Sequence, residues 1–553
     1  MKFNKAFLYL LLLLAGTSCK KYIDVSNPDS LTDPEFWKTE NSVRAYNWEF
    51  YNMFAGFGNG SSTNGDFYFT TFNDDQCASG ISQFPTAVSA TNGSWDFSWI
   101  RKANIMLERI DGITAMSDEA KNHWKGIGRF FRALQYFRLV QSFGDVPWYG
   151  HSVEPTDSAQ LYKYRDPRTL VMDSVLEDLN FAVNNLRVTD QANTVNKDVA
   201  LALKARICLF EGTYRKYHKE LKLPDAVKFL TEAKNAAGAL LLRPYELNPN
   251  YQTIYNTDNL ASIIKKEVLL YKRYESTYLT HSTINYLFSS TIISGLNKNA
   301  VESYLCSDGL PISLSPLYKK DATLNDLLTN RDKRLKLSID TTYLYYKGHL
   351  GSGMSSTTGY RVTKFLPDTT TMKSIPTGSG TNLTDAPIFY LSEVYLNYAE
   401  AAAELGTINQ ADLDNTINKL RARAGVAPLS VNPGFTDTKK DPDADISSLI
   451  WEIRRERRVE LMMDGFRYQD LMRWKKGDYM TVSSTKNQDL FLGAKVPANS
   501  SITLNADGYL MVYKASDTRT FVDPKNYTSF IPTREVLLYP KAMQDSIQNV
   551  YWR

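Results

Sequence analysis

A chain of 553 residues with 64 basic and 60 acidic side chains carries a formal net charge of only +4. That length can bury a large core, and the near-balanced charge excludes the strongly basic footprint of a nucleic-acid binder. The 34 tyrosines and nine tryptophans supply flat, amphipathic faces that serve ligand platforms as well as cores.

The chain opens with two lysines in MKFNK, an apolar run from Ala6 to Ala15, and the small residues Gly16, Thr17 and Ser18 before Cys19. A basic start, a short apolar stretch and a small-residue cleavage region define a signal peptide over residues 1–18. The run falls short of the ~20 apolar residues of a spanning helix. Cysteine directly after small residues resembles the lipobox of bacterial lipoproteins, in which that cysteine becomes the first mature residue and carries lipid. Cys19 is therefore the expected lipidation site. Residues 19–33 are polar, contain Asn-Pro-Asp, and read as a tether to a single domain over 19–553.

Helical patterns follow. Asp33-Pro34-Glu35 is a helix start. Between Gly126 and Phe143, the residues Ile127, Phe130, Phe131, Leu134 and Phe137 share one helical face, with Gly144 and Pro147 stopping it. Asp198–Tyr214 and Pro224–Leu242 are alanine-rich helices. From Ile388 to Leu405, one face carries Leu391, Val394, Tyr395, Tyr398, Ala402 and Leu405, and another Glu393, Asn397, Glu400 and Glu404, with Gly406 as terminator. These segments have the character of helical-hairpin repeats of ~34 residues. Around 59–92 and 248–384 the chain turns rich in Gly, Ser, Thr, Asn and Tyr, as in binding loops on a helical scaffold.

Catalytic signatures are missing from the sequence. The five histidines lie at no metal-ligand spacing. There is no phosphate-binding Gly-rich motif, no nucleophile elbow and no EF-hand pattern, and neither a metal nor a cofactor is expected. Cys77, Cys208 and Cys306 are odd in number and widely spaced, so no disulfide framework is expected; Cys208 reads as core.

The segment RRERRVELMMDGFRYQDLMRW, Arg454 to Trp474, places charge where burial is expected. An apolar stripe through Leu449, Ile450 and Ile453 continues onto Arg457, Glu460, Leu461 and Asp464. Glu452 has Arg455 three positions on, and Glu460 has Arg457 three positions back. Glu456 has only glutamates four positions away, so its partner must come from elsewhere in the fold. The pattern predicts a partly buried ion network of Arg457, Glu456 and Glu460 that fixes how this helix docks. Gly465 is the expected terminator.

Several stretches together resemble the SusD/RagB family of outer-membrane nutrient-binding lipoproteins: CKKYIDVSNPDSLTDPEFWKTE, GRFFRALQYFRLVQSFGDVPW, NRDKRL, GYRVTKF, FYLSEVYLNYAEAAAELG, INKLRARAGV, IRRERRVELMMDGFRYQDLMRWKKG and FIPTREVLLYP. The resemblance spans essentially the whole mature chain. It implies a mostly α-helical, SusD-like fold with tetratricopeptide-like hairpins and long irregular ligand-binding loops. It implies a non-catalytic, lipid-anchored protein facing the cell exterior, which captures glycans, or in some members peptides, for a partner SusC-type TonB-dependent transporter. Lys20-Lys21 departs from the acidic residues that often follow the cysteine in surface-exposed members. Other classes consistent with the residues are an extracytoplasmic glycoside hydrolase, which needs a carboxylate pair, and a helical adaptor without a ligand of its own.

No ligand motif transfers from the family residue by residue. A sugar ring wants an aromatic for its C–H face and Asp, Asn, Arg or Gln for its hydroxyls. Two loop stretches offer this. The first supplies Tyr68, Asp74, Asp75 and Trp95, with Gln76 and Trp99 beside them. The second supplies Arg273, Tyr274, Tyr278 and Tyr286. Tyr343, Tyr345 and Tyr346 form a third cluster whose alternation also suits a strand.

Overall fold

The computed structural model describes residues 33–263, 266–288, 293–347, 356–367, 378–440, 446–482, 487–514 and 516–553. The expected leader, Cys19 and the tether as far as residue 32 lie outside the described residues.

The scaffold is helical. Its principal members are α1 (Glu40–Asn47), α2 (Ser98–Ile110), α3 (Asp118–Phe143), α4 (Arg168–Asn185), α5 (Lys197–Tyr217), α6 (Ala226–Leu241), α7 (Thr283–Phe288), α8 (Leu391–Glu404), α9 (Ile417–Ala424), α10 (Ser448–Glu460) and α11 (Arg467–Arg473). Helices α2 to α6 pack each against the next, and α8 closes the array against α5, α6 and α10. Among the described residues, the strands form two-stranded antiparallel pairs. Two of them join distant parts of the chain: β1 (Gln76–Ala78) with β3 (Ser294–Leu296), and β2 (Val268–Lys272) with β4 (Ala386–Tyr390).

Local chemistry sets these helices. Ser117 caps α3 by accepting the Ala120 N–H, and Asp118 and Glu119 complement the helix dipole. Asn196 caps α5 through the N–H groups of Asp198 and Val199. The expected face of α3 is buried in full: Ile127, Phe130, Phe131, Leu134 and Phe137 all lie in one core that runs from Trp37 to Ile547. Each such burial contributes about 1.5–3 kcal/mol. Helices α5 and α6 approach closely because Gly212 leaves room; a Cβ there would sit 2.8 Å from Leu230.

Several boundaries differ from the sequence reading. Helix α3 begins eight residues before Gly126, because Ser117 supplies a better cap than any residue nearer to it. Residues Ile388–Tyr390 are strand, paired with Val268–Leu270, so that helix starts at Leu391. Its Glu393, Asn397, Glu400 and Glu404 are buried like its apolar face. Helix α10 ends at Glu460, ahead of Asp464. Gly465 serves a different purpose: at φ +90° it lets the Asp66 carbonyl pass 3.0 Å from where a Cβ would stand.

Candidate functional site

The arginine helix α10 anchors the loops from beneath. Glu456 finds the distant partners that its own helix denies it: Arg334 at 2.7 Å and Arg421 at 3.1 Å. Glu460 accepts from Arg334 at 2.7 Å and from Arg423. Burial pushes the Glu460 carboxyl up, but Arg423 and Arg334 overcome that and hold it below the usual carboxylate range. Arg457 does not pair with Glu460, three positions on; it donates to Asp470 and to Asn397, each at 2.8 Å. The reason is direction: the Glu460 carboxylate is already taken by two arginines from other elements. The expected Glu452–Arg455 pair forms at 3.1 Å. The members of this network are nearly fully buried, Arg423 through its side chain.

The network continues into the first candidate ligand loop. Arg458 donates to Asp75 at 2.6 Å, and Arg467 clamps Asp74 with two bonds of 2.7 and 2.8 Å. Asp74 and Asp75 are only 1% and 2% exposed. Burial works against ionisation of both. The two arginines still hold Asp74 below its ordinary value, whereas Asp75, repelled by Asp74, is held above it. These carboxylates lock the loop to α10 and α11 and do not face solvent, which corrects their placement as hydroxyl-binding groups.

Tyr68 and Tyr274 are also internal. Tyr68, at φ +65°, points its ring into the core and donates its hydroxyl to the Ser294 carbonyl at 3.3 Å; burial pushes that hydroxyl up to about 12. The Tyr274 hydroxyl accepts from the Phe57 N–H at 2.9 Å and donates to the Gly58 carbonyl at 2.8 Å. A tyrosine whose ring is packed and whose hydroxyl is satisfied by backbone is a core residue with a polar tip. Neither ring offers a face to a sugar.

Other expected residues stay open. Tyr286, on α7, is half-buried and stands edge-on to Phe69 at 5.3 Å. The neighbouring Leu287 carbonyl is held by two Arg361 bonds of 3.1 and 3.0 Å. Arg361 also pairs with Asp340 at 3.1 Å and lies 5.2 Å over the Tyr345 ring, which meets the half-exposed Tyr343 at 6.2 Å. One guanidinium, that of Arg361, thus connects two ring pairs, Phe69 with Tyr286 and the buried Tyr345 with Tyr343. Phe69 was not singled out from sequence. The kink at Tyr68 breaks the alternation of the run, so the ring left outside could not be read from period alone.

Arg273 stands before, and Tyr278 within, a tight turn closed by paired bonds between Glu275 and Leu279. Tyr278 is 84% exposed, and Arg273 reaches Glu275 at 3.2 Å from an open position. The base of the turn is fixed: Thr280 accepts from the Gly60 N–H at 2.7 Å, and Ser282 donates to the Gly60 carbonyl at 2.9 Å. His281 bonds Thr384 and Thr283, and burial lowers its imidazole to about 3.

Trp95 occupies a separate place. It is half-buried edge-on to Phe97 and Phe143, at 5.2 and 4.8 Å, and lines a cleft of about 420 Å³ with Tyr149, Tyr162, Tyr539 and Arg101. Trp99 packs on Phe50 at 5.9 Å, as the first apolar residue of α2. Among the described residues, no group of three or more His, Cys, Asp or Glu side chains is placed to hold a metal ion. Cys77, Cys208 and Cys306 are buried free thiols.

A helical-hairpin scaffold carrying aromatic loop surfaces is a binding architecture, and the comparisons agree with that class. The model of the SusD family matches residues 266–552, and a second model, described as starch-binding associating with outer membrane, matches residues 22–209. The chain belongs to the SusD family. A SusD-like protein of Formosa agariphila is 22% identical over 514 residues, covering 86% of this chain and 92% of that protein. A SusD-like protein of Bacteroides ovatus is 23% identical, covering 84% and 80%. The crystal structure of a SusD-like carbohydrate binding protein from Bacteroides fragilis NCTC 9343 superposes with a TM-score of 0.70 at 21% identity, covering 91% of this chain and 99% of that one. A laminarin binding SusD-like protein gives 0.55 at 19% identity, covering 91% and 98%.

Proposed function

We propose that this chain is a non-catalytic, lipid-anchored receptor of the outer membrane, facing the cell exterior. It captures oligo- or polysaccharide and delivers it to a SusC-type TonB-dependent transporter. The observation that carries the reading is family membership, through a SusD match covering the C-terminal half of the chain. The cargo class follows from the matching model described as starch-binding and from relatives described as carbohydrate and laminarin binding. Anchoring rests on Cys19 behind the leader, and outer-membrane placement on the same starch-binding description.

Glycan rests on the loop face, with Tyr286, Phe69 and Tyr343 offered to C–H faces and Arg273 and Tyr278 at its edge. Sugar recognition wants open, flat rings on a rigid base, and α7, Arg361 and the Gly60–Ser282 bonds supply that base.

The test is a titration of the purified chain with polysaccharides, oligosaccharides and peptides, following tryptophan fluorescence while assaying for released product. Saturable binding of a glycan without cleavage is expected. Turnover of a bound glycan would replace the reading with a hydrolase, and peptide binding alone would reassign the cargo.

A further inference from the structure

A second cleft, of about 220 Å³, opens where the loop before Phe67 meets α3, α5, β4 and α11. Its apolar wall includes Phe54, Phe137, Ile388 and Phe466. Most of the charges on its rim are already neutralised. Arg206 is bonded twice to Glu393, Arg457 and Arg473 share Asp470, and Asp464 holds Lys364. Two charges stand apart.

The Asp66 carboxylate has no hydrogen bond or ion pair among the described residues; only its backbone is engaged, with Gly56 and Thr70. It is open to the cleft yet hemmed in by protein, and that desolvation raises its pKa against the pull of Arg138, Arg206 and Lys272. Lys272 spends its ammonium on the carbonyls of Phe54 and Ala55 and on Asn59. Arg138 makes one bond, to the Met53 carbonyl at 2.7 Å, and has no carboxylate partner among the described residues. Desolvation lowers its pKa against the pull of Asp66, which faces the same cleft without bonding to it. The Gln141 and Gln469 amides line the same space and make no side-chain bond among the described residues.

A carboxylate with no hydrogen bond and a guanidinium bonded only to a backbone carbonyl, facing one partly apolar cleft, match a ligand that carries both opposite charges. We propose that this cleft binds a small zwitterion with an apolar body, of the class of a free apolar α-amino acid. Asp66 takes the ammonium and Arg138 the carboxylate, with the body against Phe466 and Ile388. A neutral sugar would form an ion pair with neither group, and a uronic acid would set its own carboxylate beside Asp66. Charge-assisted bonds of this kind are worth more than neutral ones, and each ion pair lost in a desolvated cleft costs about tenfold or more in affinity.

The test is calorimetric titration of the purified chain with L-leucine and L-phenylalanine, then with N-acetyl-L-leucine, L-leucinamide and D-glucuronate. Saturable binding of a free amino acid is expected, weakened about tenfold or more when either charged group of the ligand is capped. Asp66→Asn and Arg138→Gln should each produce the same loss while leaving glycan binding in place. No binding of either amino acid, equal binding of the capped forms, or tighter binding of glucuronate overturns the proposal. The capped ligands decide it on the unaltered chain even if a variant fails to fold. Because glycan binding is read separately, failure here is distinct from failure of the glycan-capture reading.

Discussion

Arg334 donates to Glu460 at 2.7 Å, across 126 residues of chain, with both side chains nearly fully buried. The same guanidinium touches Glu456 at 2.7 Å and Asp332 at 2.6 Å. It thus ties the loop helix after Asp332 to α10. Removing one member of a buried ion network strands the others in a medium that cannot solvate them. Arg334→Ala is expected to cost about 3–5 kcal/mol in urea unfolding, and Arg457→Ala, which leaves buried Asp470 to Arg473 alone and takes the donor from Asn397, about 3 kcal/mol or more. A loss near zero in either would mean that water reaches these carboxylates.

A pH dependence follows from His281. Its Nε2 faces the Thr384 carbonyl at 3.1 Å and its Nδ1 accepts the Thr283 N–H at 3.2 Å, which fixes the neutral tautomer. Burial holds the folded pKa at about 3, against an ordinary 6.5. Below pH 6.5 the unfolded chain takes up a proton that the folded one refuses, so stability falls with falling pH. The contribution is complete above 6.5 and is lost progressively towards pH 3, at about 1.4 kcal/mol per pH unit in between. His281→Phe keeps a ring beside Phe57 and Tyr274 but cannot titrate. Urea unfolding between pH 6 and pH 4 should show its slope flatter by about that amount. An unchanged slope would show that His281 is protonated in the folded state. His123 and His218, also lowered by burial, act in the same direction and remain in both proteins.

The close approach at Gly465 gives a third expectation. A Cβ there would stand 3.0 Å from the Asp66 carbonyl, at a φ of +90°. Both the contact and the backbone angle oppose a side chain. Gly465→Ala should cost about 1–3 kcal/mol in unfolding free energy. An unchanged midpoint would mean that the turn shifts freely and that Asp66 is not held in register with α11.

What could be read in advance follows a physical line. The face of α3 and the alanine-rich α5 were legible because burial imposes a helical period on Ile127, Phe130 and Phe131. The ion network was legible because Arg457 and Glu460 occupy positions on an apolar stripe where solvated charge has no place. Its partners were not, since Arg334 and Arg423 are brought to Glu460 by tertiary packing that no local spacing encodes. The loops resisted for a different reason. Tyr274 and Tyr278 lie four residues apart in one stretch, yet one is 3% exposed and the other 84%. Nothing in their composition separates them; the turn between Glu275 and Leu279 does.

That contrast yields the last prediction. Tyr274 and Tyr286 look equivalent as sugar platforms in the sequence, and the structure buries the first and leaves the second half-open. Tyr274→Phe removes a hydroxyl that accepts one backbone bond and donates another, and leaves the Phe57 N–H and the Gly58 carbonyl unsatisfied. It should lower stability by about 1–3 kcal/mol. Tyr286→Ala, Phe69→Ala and Tyr343→Ala remove open rings, so each should weaken glycan binding, by about tenfold for a well-stacked ring, with a smaller effect on unfolding. Trp95→Ala serves as the contrast, because its cleft lies apart from the Tyr286 and Phe69 rings. If Trp95→Ala abolishes glycan binding while Tyr286→Ala does not, capture moves from the loop face to the cleft walled by Tyr149, Tyr162 and Tyr539. If both variants bind as the parent does, neither surface holds the glycan.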